Sequence, residues 1–426
     1  MIRAYAVVVS LGLALGAYAQ REVPGFVSRM EVTPLRADGT YRLGEEAGWK
    51  IRSWLPDLRY TLRENGGKVL QEGTVPLRYG KAELRYRAKR PSMLFLEVFP
   101  AGETRKAHFG AAVQPDRIRT AVPMPKDFDA FWDRKLRELR AIPENPVVES
   151  KPSDRPGVRY EHVRMDHVNG TKVYGQLARP DKPGKFPAVL QLQWAGGPYP
   201  LQPVWVTSRA SDGWLALNVQ AHDVPVGEPA SFYNALPPER KAYHLIRQDD
   251  LERSYFVEMY LRGVRAVDYL QKHPNWDGKT LLIVGTSMGG QQGLAVAGLH
   301  PGVTHLIVHV PAGADLNGFH HGRAQGYPFL TVTNQKAMEV ARYVDVAHLA
   351  RRIRATSLVS LGYVDTVCPP AGVWAAFHAI PSRKLVVPLV DSPHNHVATA
   401  EQQRPYTERS NAWLQALIAG RPVPVR

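Results

Sequence analysis

The sequence predicts an α/β fold: a mostly parallel, helix-covered sheet preceded by a small all-β sandwich. Three observations predict it. From about residue 123 onward, short apolar runs alternate with segments of helical period, the pattern of parallel strands joined by helical crossovers. From about residue 28 to 118, segments of period two alternate with turn signals, and no amphipathic helix fits. At 426 residues the chain is long enough for two domains with a sizeable core.

In chain order, the first segment is a leader. Met1-Ile2-Arg3, an apolar run from Ala4 to Leu15 and Ala17-Tyr18-Ala19 describe a secretory signal peptide over residues 1–19, cut before Gln20. An uncleaved N-terminal anchor is the competing reading, but the run is short for a bilayer span, and no later segment is long and apolar enough for one. Export would make the protein secreted or periplasmic. Residues 20–120 then form the β domain. Leu58-Arg59-Tyr60-Thr61-Leu62-Arg63 alternates, Asn65-Gly66-Gly67 is a hairpin signal, and Val69–Gln71, Ala82–Tyr86 and Met93–Val98 supply further strands. An antiparallel, immunoglobulin-like sandwich is expected.

Residues 121–426 form the second domain, starting at Val122-Pro123-Met124-Pro125. Phe128, Phe131, Trp132, Leu136 and Leu139 share one face of a helix with Asp127 as its N-cap. A hairpin around Asn169-Gly170 joins strands at 160–165 and 172–178. Buried strands follow at 188–192, 214–219, 281–284, 306–310, 357–362 and 384–389, with a long amphipathic helix over 255–272.

The chemistry is concentrated at Gly285-Thr286-Ser287-Met288-Gly289-Gly290. It follows the apolar run Leu281–Val284 and precedes a small-residue helix. Gly-x-Ser-x-Gly between strand and helix is the nucleophile elbow of the α/β-hydrolases. A Cβ at the flanking glycines would collide with neighbouring strand and helix, and the turn raises the Ser287 hydroxyl above the sheet. A serine hydroxyl needs a base, and the base an orienting acid, in the chain order Ser, acid, His. Asp365, just after the strand ending at Gly362, is the expected acid, ahead of Asp345 in a helical stretch. The base lies in Ser392-Pro393-His394-Asn395-His396. His394 is expected, with His396 as the alternative. The Met288 N–H at the helix start is one expected oxyanion donor, and the other is expected from Trp194-Ala195 in the Gly-rich loop after strand 188–192.

Other features point less far. The net charge is +15 at pH 7, but the basic residues are scattered. Arg351-Arg352-Ile353-Arg354 is the densest cluster, and no basic stretch is interleaved with aromatics, so no nucleic-acid partner is expected. Cys368 is the sole cysteine, which excludes an internal disulfide and reads as a buried small residue rather than a reactive thiol. His222-Asp223 and His320-His321 complete no metal-ligand spacing, so neither a metal nor a cofactor is expected.

Several segments resemble the acetyl xylan esterase/cephalosporin-C deacetylase family. They are Pro125-Lys126-Asp127-Phe128-Asp129-Ala130-Phe131-Trp132, the helix segment Arg262–Leu270, and Gly362-Tyr363-Val364-Asp365-Thr366-Val367-Cys368-Pro369-Pro370. The resemblance runs from about residue 123 to 419. It implies a serine esterase that deacetylates carbohydrate esters, with Ser287, Asp365 and His394 as its triad and Met288 and Ala195 as its oxyanion donors. The partner would be a small or oligosaccharide acyl ester; homo-oligomerisation is left open. Met288 stands where the family has Gln, and Gln193-Trp194-Ala195 where it has His-Gly-Tyr. Gln220-Ala221-His222 lies near its Arg-Gly-Gln, and Asn395 follows His394 in place of Glu. These departures fall on the pocket lining, so the substrate is expected to vary more than the reaction. A peptidase or lipase on the same fold, or an inert carbohydrate-binding protein, are the alternatives.

Overall fold

Nine strands form the central sheet, in the order Lys384–Leu389, Thr356–Gly362, His305–His309, Trp276–Thr286, Phe186–Leu192, Leu215–Val219, Lys172–Pro180, Val158–Asp166 and Val147–Lys151. The computed structural model that shows this describes residues 25–425. The predicted leader lies outside the described residues. From Lys384–Leu389 to Leu215–Val219 all neighbours are parallel, and the last three strands continue the sheet antiparallel. The parallel strands are apolar on both sides because both faces are covered. One face packs on helices Tyr255–Lys272 and Met288–Leu299. The other packs on Val204–Ser211 and Ala400–Ile418, with Trp214 and Trp413 at its centre. The hairpin expected around Asn169-Gly170 joins Val158–Asp166 to Lys172–Pro180.

The expected helix runs from Phe128 to Arg140 and buries Phe128, Phe131, Trp132, Leu136 and Leu139. Asp127 occupies the N-cap position, as expected. The Asp127 side chain makes no capping bond and instead accepts from the Tyr343 hydroxyl at 2.6 Å. A tertiary donor has outcompeted the local backbone N–H groups.

Ahead of this region lie two sheets around a core of Trp49, Ile51, Leu58, Leu94 and Leu96. One has three antiparallel strands, Met30–Pro34, Glu46–Ser53 and Lys81–Arg87. The other has five, ordered Thr40–Tyr41, Ala107–Val113, Ser92–Pro100, Leu58–Glu64 and Lys68–Thr74. They are not wholly antiparallel as expected, because Thr40–Tyr41 runs parallel to Ala107–Val113. This second sheet leans on the loop that carries Asp365. A Cβ on Gly110 would lie 2.5 Å from the Tyr363 Cβ, and the Thr40 hydroxyl is 3.2 Å from the Tyr363 hydroxyl. Its hairpin tip is tied to the same region by the Ala324 N–H, which donates to the Asn65 carbonyl at 2.8 Å.

Candidate active site

Ser287 stands at the C-terminal end of strand Trp276–Thr286 and caps helix Met288–Leu299, with φ 57° and ψ −120°. A non-glycine residue in this region is strained and persists only where its surroundings fix it. They do so here. The Ser287 N–H donates to the His309 carbonyl at 2.9 Å, and the Ser287 carbonyl accepts from Gln291 and Ala312. The flanking glycines leave room for the bend. A Cβ on Gly285 would come within 2.1 Å of the Gly289 carbonyl oxygen, and one on Gly289 within 2.4 Å of the Leu192 oxygen.

Three side chains from three loops meet above the sheet. The Ser287 hydroxyl lies 3.0 Å from His394 Nε2, and His394 Nδ1 lies 2.7 Å from Asp365 Oδ2. The other Asp365 oxygen accepts from the backbone N–H groups of Val367 and Cys368, each at 2.8 Å. Those two bonds hold the carboxylate in one orientation. All three residues are buried. His394 therefore stands between Ser287 and Asp365, while His396 packs on the His394 ring at 5.3 Å and 67°. Asp345 is elsewhere. It caps the helix at Val346 and accepts from the N–H groups of Asp315 and Leu316.

Two backbone donors, one on the residue after Ser287 and one on the loop after strand Phe186–Leu192, are unused. Among the described residues, the N–H groups of Met288 and Ala195 have no protein acceptor. The loop that carries Ala195 is pinned by Gln193, whose carbonyl accepts from the Gln292 side chain at 2.9 Å and whose side-chain oxygen accepts from Ala221 at 2.7 Å. Trp194 on the same loop is partly exposed, stacked on Tyr199 and edge-on to Trp205, with ring centres 5.7 and 5.0 Å apart.

The sequence reading missed what surrounds Met288. Its sulfur lies 3.0 Å from the Tyr243 hydroxyl and 3.3 Å from the Tyr327 hydroxyl, and the two hydroxyls bond each other, so with one proton apiece one donates to its neighbour and the other to the sulfur. His222 packs edge-on to Tyr243 and bonds the Tyr255 hydroxyl through Nδ1 at 2.8 Å. Burial pushes the His222 imidazole down to about 3, so it is neutral across the physiological range. The His222 ring is thus held by Tyr255, and His320 bonds the Val332 carbonyl.

Cys368 is buried, as expected of a small apolar residue, but its location was not foreseen. Its sulfur and the nearest ligand atoms of Asp365 and His394 all lie within 4.8 Å of one another. Burial pushes the thiol well above its usual range, and the Asp365 charge adds to this. Both effects favour the protonated thiol over the thiolate beside Ser287.

Known proteins resemble the chain in sequence and in fold. A family profile described as acetyl xylan esterase matches residues 116–415. The acetyl esterase Axe7A of Xylanibacter ruminicola is 29% identical over 405 residues, which cover 90% of each chain. The mitochondrial acyl-coenzyme A thioesterase 2 of Homo sapiens is 26% identical over 306 residues, 68% of this chain and 54% of that protein. Among solved structures, the acetyl xylan esterase from Paenibacillus sp. R4 superposes with a TM-score of 0.58 at 21% identity, over 71% of this chain and 98% of that one. Acetyl xylan esterase 1 from Thermoanaerobacterium sp. JW/SL YS485 gives 0.56 at 21% identity, over 66% and 92%. Both share the helix-covered, mostly parallel sheet.

Proposed function

The chain belongs to the acetyl xylan esterase family of carboxylic ester hydrolases, and from that premise we propose that it is an exported serine esterase acting on acetylated xylan or xylo-oligosaccharides. It removes acetyl and other small acyl groups. The observation that carries the reading is the hydrogen-bonded chain from Ser287 through His394 to Asp365 at the end of a central parallel strand. The leader at residues 1–19 directs export, and residues 20–120 form an immunoglobulin-like unit ahead of the esterase domain.

The Ser287 oxygen attacks the ester carbonyl carbon while His394 Nε2 takes its proton. The tetrahedral oxyanion that forms is met by the N–H groups of Met288 and Ala195. Each such donor is worth about 10²–10³ in rate because it is fixed before the charge develops. Asp365 holds the imidazole with its proton on Nδ1 and stabilises the cation. Collapse breaks the C–O bond to the sugar, and His394 returns the proton to the leaving oxygen. Water, deprotonated by His394, then attacks the acyl-serine, releases acetate and restores the hydroxyl. Trp194 beside Ala195 supports a sugar as leaving group, since an exposed aromatic ring offers a flat surface to the C–H face of a pyranose.

The test is acetate release from acetylated xylan and from 4-nitrophenyl acetate by the wild-type chain and Ser287→Ala. The variant is expected to fold and to lose on the order of 10⁴-fold or more in kcat. A folded variant with wild-type turnover rejects the nucleophile. A wild-type preference for acyl-coenzyme A or long-chain esters over acetylated sugars rejects the substrate class.

A further inference from the structure

The outer face of the three-stranded sheet carries a surface that neither the fold nor the proposed reaction uses. Strand Glu46–Ser53 alternates, with Ala47, Trp49 and Ile51 buried in the core and Lys50 and Arg52 outside. Trp54 follows directly and is 72% exposed. In the neighbouring strand Lys81–Arg87 every second residue from Lys81 is exposed, and Lys81 lies opposite Arg52. The turn Arg78-Tyr79-Gly80-Lys81 precedes that strand, closed by bonds between Arg78 and Lys81 in both directions. Tyr79 stands at its tip, 103% exposed.

The backbone at both aromatics is tethered. The Ser53 N–H donates to the Gly80 carbonyl at 2.9 Å, and the Trp54 N–H donates to the Arg29 carbonyl at 3.1 Å. The loop and the turn are therefore neighbours, and Trp54 and Tyr79 flank the contact. Single exposed apolar residues are ordinary, but two large aromatics on adjacent tethered backbone are not. Tyr79 also sits at φ 50°. That backbone region disfavours a residue with a Cβ, and no packing of the side chain repays the strain.

The charge around them is positive. Arg85 and Arg87, farther along the strand, pair with Glu46 and Glu83. Lys50, Arg52 and Lys81, nearer the aromatics, have no carboxylate within 4.0 Å among the described residues. In register, Glu31 lies opposite Arg52 and Glu83 opposite Lys50, and Glu83 pairs with Arg85 instead.

We propose that this face, with Trp54 and Tyr79 as stacking platforms and Lys50, Arg52 and Lys81 as counter-charges, docks a polysaccharide that bears uronate groups. Aromatic faces pack on the C–H faces of pyranose rings by dispersion. The cations complement carboxylates spaced along the same chain, an attraction that weakens with salt. The choice of a polysaccharide rests on the proposed function, but the binding does not require the Ser287 site. It would hold the esterase on its polymer between turnovers and raise the local concentration of acetyl groups.

The experiment is native affinity electrophoresis of the full chain in gels that contain deacetylated, glucuronate-substituted xylan, in which no ester engages the triad. Retardation is expected, at least about tenfold weaker in a Trp54→Ala/Tyr79→Ala variant. An Arg52→Ser/Lys81→Ser variant should lose most of the salt dependence. Both variants should keep the wild-type circular dichroism and the wild-type rate on 4-nitrophenyl acetate. Equal retardation of the aromatic variant would overturn the proposal, as would equal affinity for neutral arabinoxylan. Tighter binding to single-stranded DNA or phosphatidylserine vesicles, or self-association abolished by the aromatic variant, would replace the polysaccharide with another occupant. Loss of activity in Ser287→Ala leaves the retardation unchanged, so the two readings fail separately.

Discussion

A base can take the Ser287 proton only from hydrogen-bond distance, and that requirement separates the two histidines that the sequence left as alternatives. His394 Nε2 is 3.0 Å from the hydroxyl and its Nδ1 is held by Asp365, whereas His396 is exposed and packs edge-on to the His394 ring. His394→Ala is therefore expected to reduce kcat on the order of 10⁴-fold or more, and His396→Ala by less than about tenfold. Steady-state kinetics on 4-nitrophenyl acetate checks this; the reverse order would move the base to His396. The serine, the acid and the histidine pair were legible because each sits in a short local pattern next to a recognisable strand end. The setting of Met288 was not. Its partners Tyr243 and Tyr327 are 45 and 39 residues away, in irregular segments with no periodicity to read. Likewise a lone cysteine in a Val-Cys-Pro-Pro turn says nothing of its distance from His394. That distance is set by two adjacent parallel strands, whose C-terminal ends place the Cys368 and His394 loops side by side.

The elements of the central sheet could be read from sequence because parallel strands buried on both faces are uninterrupted apolar runs, and the crossover helices keep a helical period. Strand Thr40–Tyr41 could not, since two residues carry no period. Yet this short strand and its neighbour Ala107–Val113 support the acid loop. Gly110 does not need its glycine for backbone freedom, but its hydrogen is the only substituent that fits against Tyr363, two residues before Asp365. Gly110→Val should overpack this junction, costing about 1–3 kcal/mol of stability, and should lower kcat by displacing the carboxylate that orients His394. Gly73→Ala, in the same unit but with only ordinary contact to Tyr60, is the control and should change neither. Urea unfolding together with kcat for acetate esters reads both effects. A destabilised Gly110→Val with wild-type kcat would mean that the β unit packs on the acid loop without positioning it.

For the whole molecule, the buried histidines set the response to acid. Burial pushes His222 and His309 down to about 3 and His273 down to about 4. The unfolded chain binds a proton at each of them below about pH 6.5, and the folded chain does not until far lower. Between those values the unfolded state holds more protons, so stability must fall as the pH falls, by about 1.4 kcal/mol per pH unit for each fully titrating histidine. Paired carboxylates such as Glu252, pulled down to about 2 by its hydrogen bond to Arg134, act in the same direction, but mainly below the ordinary carboxylate range. Asp345 and Asp391, raised by burial, oppose it, because each holds its proton longer in the folded chain. The window from about pH 5 to 6.5 therefore reports chiefly on the histidines. In it the urea midpoint should decline steadily toward acid. In His309→Gln, which keeps an acceptor or donor for the Ser360 hydroxyl now 2.6 Å from the ring, the pH slope should shrink by close to one proton. A midpoint that stays flat across this window, or a slope unchanged in His309→Gln, would show that these imidazoles are protonated in the folded protein.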